Sequence, residues 1–262
     1  MTIEVEKKLD EMELWLKTQT QLPQKIDRWM LKRFLLCMEG DKDAAQNLLI
    51  TNYKMRNKYD HIFIKRDPKY ESSEKVVKVV DFLTLPGYTP EKYKLILYRL
   101  ADTDPDKFNV NEVFQVFFMM VDSRFRELCN ENAIGEIVVF DMTGFSLRHL
   151  SKFSLGTIRL FMKYIQEAHV GRVKGVHVIN AASFLDKVMF LVRPFLKGEL
   201  INVLHFHMPN TETAYKFFPH EMLPDEYGGK AGKLQDLREF WVKKLMENRD
   251  FIIDESRWKM NS

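Results

Sequence analysis

Apolar residues in the first 65 positions recur at three- and four-residue steps, through Trp15, Leu16, Leu22, Ile26, Trp29, Met30, Phe34 and Leu35, which predicts amphipathic helices. Pro23 suits a first helical turn, where its missing N–H costs nothing. Gly40 and Asp41 break the pattern, and helical spacing resumes from Asp43 to Tyr59 through Ala44, Leu48, Leu49, Tyr53 and Arg56. A polar, Pro-containing stretch from Lys65 to Lys75 follows, and a domain boundary is expected near residue 75. Beyond it, short apolar runs alternate with helical ones. Strands are predicted at Lys94 to Leu100, Glu136 to Asp141, Gly175 to Asn180 and Val203 to Met208. Helices are predicted at Asn109 to Arg126, Thr157 to Ala168, Ser183 to Leu196 with an interruption at Pro194, and Gly232 to Glu247 after the turn at Gly228-Gly229. Ile137-Val138-Val139-Phe140 is an unbroken apolar run, as in a strand covered on both faces. Strands alternating with helices require crossover connections, so the sheet should be mixed and largely parallel. The expected class is α/β, with a helical part over 1–75 and an α/β part over 76–262.

Composition sharpens this picture at few points. The 262 residues carry 40 Lys and Arg against 37 Asp and Glu, a formal charge of +3, so nothing points to nucleic acid and any basic patch must be local. Apolar residues make up 45% and aromatics 13%, with only 11 Gly and 9 Pro, which excludes disordered and collagen-like chains. The 20 Phe and 14 Met are unusual. Cys37 and Cys129 are too few for a disulfide framework or a metal quartet, and a reducing compartment is expected. The opening Met-Thr-Ile-Glu-Val-Glu-Lys-Lys lacks the basic and apolar regions of a signal peptide. No uncharged apolar run approaches the roughly 18 to 20 residues of a membrane span, so a cytoplasmic protein is expected.

Catalytic and metal motifs are weak. Gly144-Phe145-Ser146-Leu147-Arg148 departs from a nucleophile elbow at its last position, where a strained turn needs glycine. His205 and His207 alternate along a predicted strand and share a face, but no companion stands at a spacing that would complete a zinc site. His149, His169 and His177 are scattered singly and read as core or satisfied polar groups. Asp102, Asp104 and Asp106 resemble half of a calcium loop, yet Lys107 occupies its glycine position and no closing Glu follows, so a turn before a helix is expected. No phosphate-cradling glycine loop is present, and no cofactor or metal is expected.

The informative signal is apolar. Phe184 to Leu196 carries one helical stripe of Leu185, Val188, Met189, Val192, Phe195 and Leu196 and a second of Phe184 and Leu191, with Phe190 beside it. A helix apolar on nearly all faces is either wholly buried or faces something apolar outside the chain, such as a lipid or a membrane. Phe114 to Val121 is likewise apolar around most of a helix, and its Phe and Met side chains suit a pocket for a flexible apolar molecule as well as an ordinary core.

Gly175-Val-His-Val-Ile-Asn180, the Phe184 helix ending in Arg193-Pro194-Phe195-Leu196, His205-Phe206-His207, and Met222-Leu-Pro-Asp-Glu-Tyr-Gly-Gly229 resemble the CRAL-TRIO lipid-binding family in order and spacing. Val139-Phe-Asp-Met-Thr-Gly-Phe145 and Trp29-Met-Leu-Lys-Arg-Phe-Leu35 extend the resemblance over about residues 20 to 250, and the chain looks most like the branch of alpha-tocopherol transfer protein and cellular retinaldehyde-binding protein. The resemblance implies a helical N-terminal domain and a mixed sheet enclosing an apolar cavity for one lipophilic molecule. It maps a mobile gate onto residues 183 to 196, with Phe184, Leu185, Val188, Met189, Leu191 and Val192 facing ligand or membrane. It maps cavity positions onto Phe114, Phe117, Phe118, Met120, Val121, Phe140, Phe153, Phe161, Tyr164, Ile165, Val173 and Val176. Phe117, Met120 and Val121 replace small or hydroxyl-bearing residues of the tocopherol pocket, which implies a more apolar cavity of different shape. Members of the branch bind phosphoinositide headgroups, and Arg56, Arg172 and Lys174 match three of their cations, while Glu199, Ile201 and Val203 stand where relatives carry Lys or Arg.

The expected function is a non-catalytic, monomeric carrier of a terpenoid, retinoid, carotenoid or tocopherol-like lipid that releases its cargo at membranes, with possible help from phosphoinositides. Two alternatives stay open at this level: a lipid-modifying enzyme using Tyr164 or a histidine as acid or base, and a lipid-sensing regulatory module.

Overall fold

The computed structural model describes residues 3–129, 133–181 and 183–261. The N-terminal part is helical: α1 (Ile3–Thr18), α2 (Arg28–Cys37), α3 (Lys42–Lys58) and α4 (Asp60–Phe63). Gly40 takes a left-handed φ of +84°, and Asp41 caps α3 by accepting from Ala44 N at 3.0 Å, so the break in the pattern is a helix boundary. Arg28 holds the start of α2 to α1 through Glu6, Asp10 and Glu13 at 2.8, 2.8 and 2.7 Å. Pro23, expected in a first helical turn, lies in the irregular link between α1 and α2.

The stretch after Lys65 also differs from expectation. Its second half is α5 (Glu71–Val79), which passes without a linker into β1 (Val80–Thr84), a strand the sequence pattern did not reveal. Val76-Val77-Lys78-Val79-Val80 satisfies helical and extended spacing at once and contains no turn residue to mark the switch. The expected boundary at residue 75 therefore falls inside α5.

The remainder comprises β2 (Tyr93–Leu100), α6 (Val110–Glu127), β3 (Gly135–Asp141), α7 (Leu147–Leu150), α8 (Leu155–Glu167), β4 (Val173–Ile179), α9 (Leu185–Val192), α10 (Gly198–Asn202), β5 (Leu204–Phe206), α11 (Leu234–Glu247), α12 (Arg249–Ile253) and α13 (Glu255–Trp258). The five-stranded sheet runs β1-β2-β3-β4-β5. β1 is antiparallel to β2, and every other neighbouring pair is parallel, with Leu97, Val139, His177 and His205 in register across β2 to β5. This is the mixed, largely parallel sheet expected. Helices α5, α6 and α11 pack together beside β1, and α3 packs on α8.

Two polar hubs fix how these layers meet. Asp122 of α6, with 4% of its side chain exposed, accepts from Arg56 of α3 at 2.6 and 2.9 Å and from Arg66 in the chain after α4. Burial alone would raise the Asp122 carboxyl, but the two guanidinium charges outweigh it and hold the group below the carboxylate range. Arg56 also donates to Asn52, whose amide reaches Tyr164 Oη at 3.1 Å and the Ala168 carbonyl at 2.7 Å, while the Trp258 ring lies 4.6 Å from the Arg56 guanidinium. The second hub is Asp141 at the end of β3, which accepts from Thr143, Asn180 and the Tyr227 hydroxyl at 2.7, 2.9 and 2.6 Å. Three of the sequence motifs thus converge on one carboxylate. The Gly228-Gly229 turn lets Tyr227 reach it: Gly228 has φ +76°, and a Cβ on Gly229 would meet the Leu223 carbonyl oxygen at 1.9 Å.

Removing the charge of Asp122 leaves two buried arginines facing no anion. Asp122→Asn is expected to lower unfolding free energy by about 3 to 5 kcal/mol in urea titrations, whereas Glu71→Gln, in an exposed pair with Lys75, should change it by less than about 1 kcal/mol.

Candidate functional site

Helix α9 has apolar side chains around its whole circumference, yet none of its residues is fully buried. Leu185, Val188, Met189, Leu191 and Val192 are half-buried, as is Phe184 just before the helix, while Phe190 is 80% exposed. The interruption expected at Pro194 is present, and the segment divides there. Pro194 lacks an amide donor, so α9 ends at Val192 and Arg193–Phe195 tightens into a 3-10 turn before α10. Gln166 of α8 clamps this turn, donating to the Phe195 carbonyl at 2.8 Å and accepting from Lys197 N at 2.6 Å, and Lys197 pairs with Glu167 at 2.8 Å. The C-terminal end of the segment is therefore tethered to α8 more firmly than α9 itself, which meets the body through apolar contacts such as Phe184 on Phe145 at 6.3 Å.

Between α7 and α9 lies an open apolar pocket of about 490 Å³, lined by Leu147, Leu150, Ser151, Phe153, Asp186, Lys187, Phe190 and Leu191. Of the residues expected at a ligand site, Phe153 and Leu191 line it. Phe190, Leu147 and Leu150 were missed, although the apolar i, i+3 pair in α7 was a readable signal.

The other predicted cavity positions form a continuous aromatic layer next to it. Phe114, Phe117, Phe118, Met120 and Val121 of α6 are buried. Phe161 of α8 lies 4.7 Å from Phe114 and 5.3 Å from Phe117, and Tyr98 bridges Phe117 to Phe140 at 5.2 Å on each side. Phe153 reaches Phe114 at 6.3 Å. Ile165, Val173 and Val176 are half-buried against the same core. Phe118, 4.9 Å from Phe117, and Tyr164 extend the layer toward the N-terminal helices, where they lie 4.4 to 4.8 Å from each other and from Phe63. Burial raises the Tyr164 phenol above its ordinary range, and its oxygen is engaged by Asn52, outside the pocket lining.

The three expected phosphoinositide contacts are not equivalent. Arg56 is a correction: its side chain is 4% exposed and fully committed to Asp122 and Asn52, so it presents no surface to a headgroup. Arg172 is half-buried and paired with Glu39, and Lys174 is exposed on β4.

His149, His169 and His177, expected as core or satisfied polar groups, are buried, and one of them departs from expectation in its neighbours. His177 is not solitary, because the parallel register sets it directly beside His205, with rings stacked 4.9 Å apart, and its Nδ1 lies 3.0 Å from His207 Nε2. His207 Nδ1 in turn meets Thr213 Oγ1 at 2.8 Å, and Phe217 packs 4.4 and 4.7 Å from His205 and His177. Among the described residues no group of three or more His, Cys, Asp or Glu is arranged to hold a metal ion. His149 is buried and bonds Ser146, and His169 is buried 3.8 Å from Glu136. Asp102 and Asp104 accept backbone N–H groups in the turn before α6, and Asp106 pairs with Arg148, as a turn rather than a calcium loop requires.

A family model described as CRAL/TRIO domain matches residues 79–229, and one described as Pinta-like, UBA domain matches residues 2–73. The Homo sapiens protein named alpha-tocopherol transfer protein-like is 26% identical over 241 residues, covering 91% of this chain and 68% of its own length. Clavesin-2 of Rattus norvegicus is 21% identical over 169 residues, covering 64% of this chain and 50% of its own. The chain thus spans about two thirds of the first relative and half of the second. The crystal structure of Sfh5 superposes with a TM-score of 0.54 over 90% of this chain and 91% of that one at 11% identity, a likeness of fold. Among the described residues no helix is long and apolar enough to cross a membrane.

The histidine cluster carries a pH dependence of known sign. Burial first, then the neighbouring His205 and His207, push His177 down to about 4, so below about pH 6.5 the unfolded chain binds the proton that the folded one refuses. The stability contributed by keeping His177 neutral is fully present above pH 6.5 and should be lost as pH falls toward 4, by on the order of 3 kcal/mol. Urea titrations at pH 7.5 and 5 should show this slope, and His177→Gln should flatten it.

Proposed function

The chain belongs to the CRAL/TRIO family, and from that premise we propose that it carries one small lipophilic molecule and releases it at membranes. Members of the family bind and transfer lipophilic ligands. The observation that carries the finer reading is α9: an apolar helix with no buried residue, whose Leu191 and 80% exposed Phe190 both line the open 490 Å³ pocket. Such a helix is held weakly on both sides. Laying Phe190, Val188 and Leu191 on a bilayer exchanges partly wet apolar contact for lipid, at about 25 cal/mol per Å² removed from water. The cost of opening falls in proportion. The clamp by Gln166 and the turn at Pro194 provide the pivot, so α9 swings while α8 stays.

The cargo on this reading is a terpenoid, retinoid, carotenoid or tocopherol-like molecule, whose rings and branches suit the Phe114, Phe153 and Phe161 surface once α9 has moved. It leaves chemically unchanged; Tyr164, the candidate acid or base, is turned toward Asn52 rather than the pocket. Residues 1–75 serve as a helical brace and 76–262 as the carrier unit, working as a cytoplasmic monomer that visits membranes. Lys174, and Arg172 once freed from Glu39, are the cations available to a phosphoinositide headgroup.

Leu191→Asp and Phe190→Asp should each weaken co-sedimentation with phosphatidylcholine vesicles roughly tenfold, the value of one apolar side chain lost from the interface, with circular dichroism unchanged. Membrane transfer at the wild-type rate in both variants would reject α9 as the gate. Mass spectrometry of organic extracts from the native-source protein should return one unaltered lipophile in stoichiometric amount; only bulk phospholipid, or a chemically altered lipid, would overturn the carrier reading.

A further inference from the structure

Three histidines meet where β5 joins the sheet, in surroundings that offer them no counter-charge. His177 and His207 are 1% and 4% exposed, while His205 is half-buried and is the ring that solvent reaches first. Because His205 is stacked 4.9 Å from His177, a proton on the outer ring sets its charge against the buried one. His177 Nδ1 and His207 Nε2 share one hydrogen bond at 3.0 Å, which requires one of the two nitrogens to stay bare. The remaining neighbours are neutral: Thr213 Oγ1, the rings of Phe217 and Phe218, Gly175 under His177 Nε2, and Val139 in register on β3. Charged and titratable groups of the adjoining elements stand off. Glu212 and Lys216, at the ends of the Thr213 turn, are exposed, Lys174 of β4 lies over Gly135, and His220 stacks on Tyr215 and bonds the Tyr227 carbonyl. Among the described residues, His205 and His207 are the only charges that act on His177, and His205 is the only one that acts on His207.

The strand they secure is short. β5 pairs with β4 over three residues, flanked by bonds from Val176 N to the Val203 carbonyl, His207 N to the Val178 carbonyl and Ala181 N to the His207 carbonyl at 2.7, 2.8 and 3.0 Å. On the opposite face Phe206 stands in register with Val178, Phe140 and Tyr98, so the aromatic layer reaches this edge and ends in a side chain 36% exposed.

We propose that the three histidines form a proton-operated latch: charge on the stack frees β5 from β4 and opens the edge of the aromatic layer, so that acid promotes release of the cargo. Release rests on the carrier reading; unlocking of the edge does not. A charge inside the closed edge meets neither a carboxylate nor water, whereas the opened strand gives the rings to solvent. The closed edge therefore refuses a proton that the open one binds at the ordinary value of about 6.5, and falling pH drives opening. With His177 at about 4 in the closed edge, lowering the pH from 7.5 to 5.5 should shift the opening equilibrium about tenfold.

Hydrogen–deuterium exchange of the full chain, corrected for the intrinsic pH dependence of amide exchange, reads this directly. Rates in peptides spanning 198–213 should rise about tenfold between pH 7.5 and 5.5. Low urea should leave these rates unchanged, because a local opening exposes little surface, while the amides of β2 and α6 quicken. His177→Gln, which can keep the bond to His207 but takes no proton, should remove most of the rise, and His207→Gln should reduce it. Rates over 198–213 that ignore pH, that climb with urea together with β2 and α6, or that rise as steeply in both variants would overturn the latch. Transfer of all-trans-retinol from the protein to phosphatidylcholine vesicles should quicken about tenfold over the same pH interval, and transfer that ignores pH would overturn the release step. Exchange needs no cargo, so its failure is distinct from failure of the carrier reading, which the extracted lipid decides.

Discussion

A carboxylate buried between two arginines sets the geometry of this molecule. Asp122 sits in the middle of α6, and its partners Arg56 and Arg66 come from the N-terminal helical part. Such a cluster is expensive to bury and tolerates little displacement, because any gap exposes charge to a medium that cannot solvate it. It therefore locks the helical brace to α6 at one register. The same network determines the fate of two residues whose chemistry looked functional. Arg56 is spent on Asp122, and Tyr164 is drawn by Asn52 toward the cluster and away from the pocket.

Firmness at this hub contrasts with the looseness of the segment from α9 to β5. Asp141 gathers the ends of β3 and β4 and the Tyr227 turn with direct hydrogen bonds, whereas α9 contributes no fully buried side chain and β5 adds only three residues to the sheet edge. Local opening is cheapest where buried contacts are fewest. The apolar helix beside the pocket and the edge strand that follows it are therefore the elements of the α/β part held by the fewest buried side chains. Besides the backbone ladder, the buried contact of His177 with His207 ties the end of that edge to β4, and it is one that protons weaken.

How much of this could be read from the residues depends on whether a signal was local. Repeating patterns placed α2, α3, α6, α8 and α11 and four of the five strands, and turn chemistry placed the break at Gly40. β1 escaped because a valine-rich run continues from α5 without punctuation, and Pro23 misled because a residue that suits a first helical turn suits an irregular link equally well. What stayed hidden was set by contacts distant in sequence. His177 lies thirty positions from His207 and meets it through the parallel register. Arg56 matched a family's headgroup cation by alignment, but its Asp122 partner lies 66 residues away, and no spacing rule shows that the guanidinium faces inward. The aromatic layer was readable as a set of residues, not as a partition. Phe114 and Phe161 stack on each other, with Phe114 near Phe153, while Phe118 and Tyr164 meet Phe63 of the N-terminal helices.

The balanced composition, a formal +3 over the whole chain, conceals how charge is distributed inside it. Two buried clusters, Arg56 and Arg66 on Asp122 and Arg33 and Arg124 on Glu136, share one plan: two arginines, one carboxylate, and an aromatic ring under a guanidinium, Trp258 at 4.6 Å from Arg56 and Phe125 at 3.6 Å from Arg33. The ring face offsets part of the surplus charge in each. Their surroundings differ. Arg56 and Arg66 are sealed, with 4% and 0% of their side chains exposed. Arg33 retains 25% exposure and borders a pocket of about 230 Å³ with Lys32 and Arg172 at hand. A sealed surplus is a cost the fold carries for rigidity. An accessible surplus is eased by water and counter-ions, and that difference, rather than the count of basic residues, separates the two clusters.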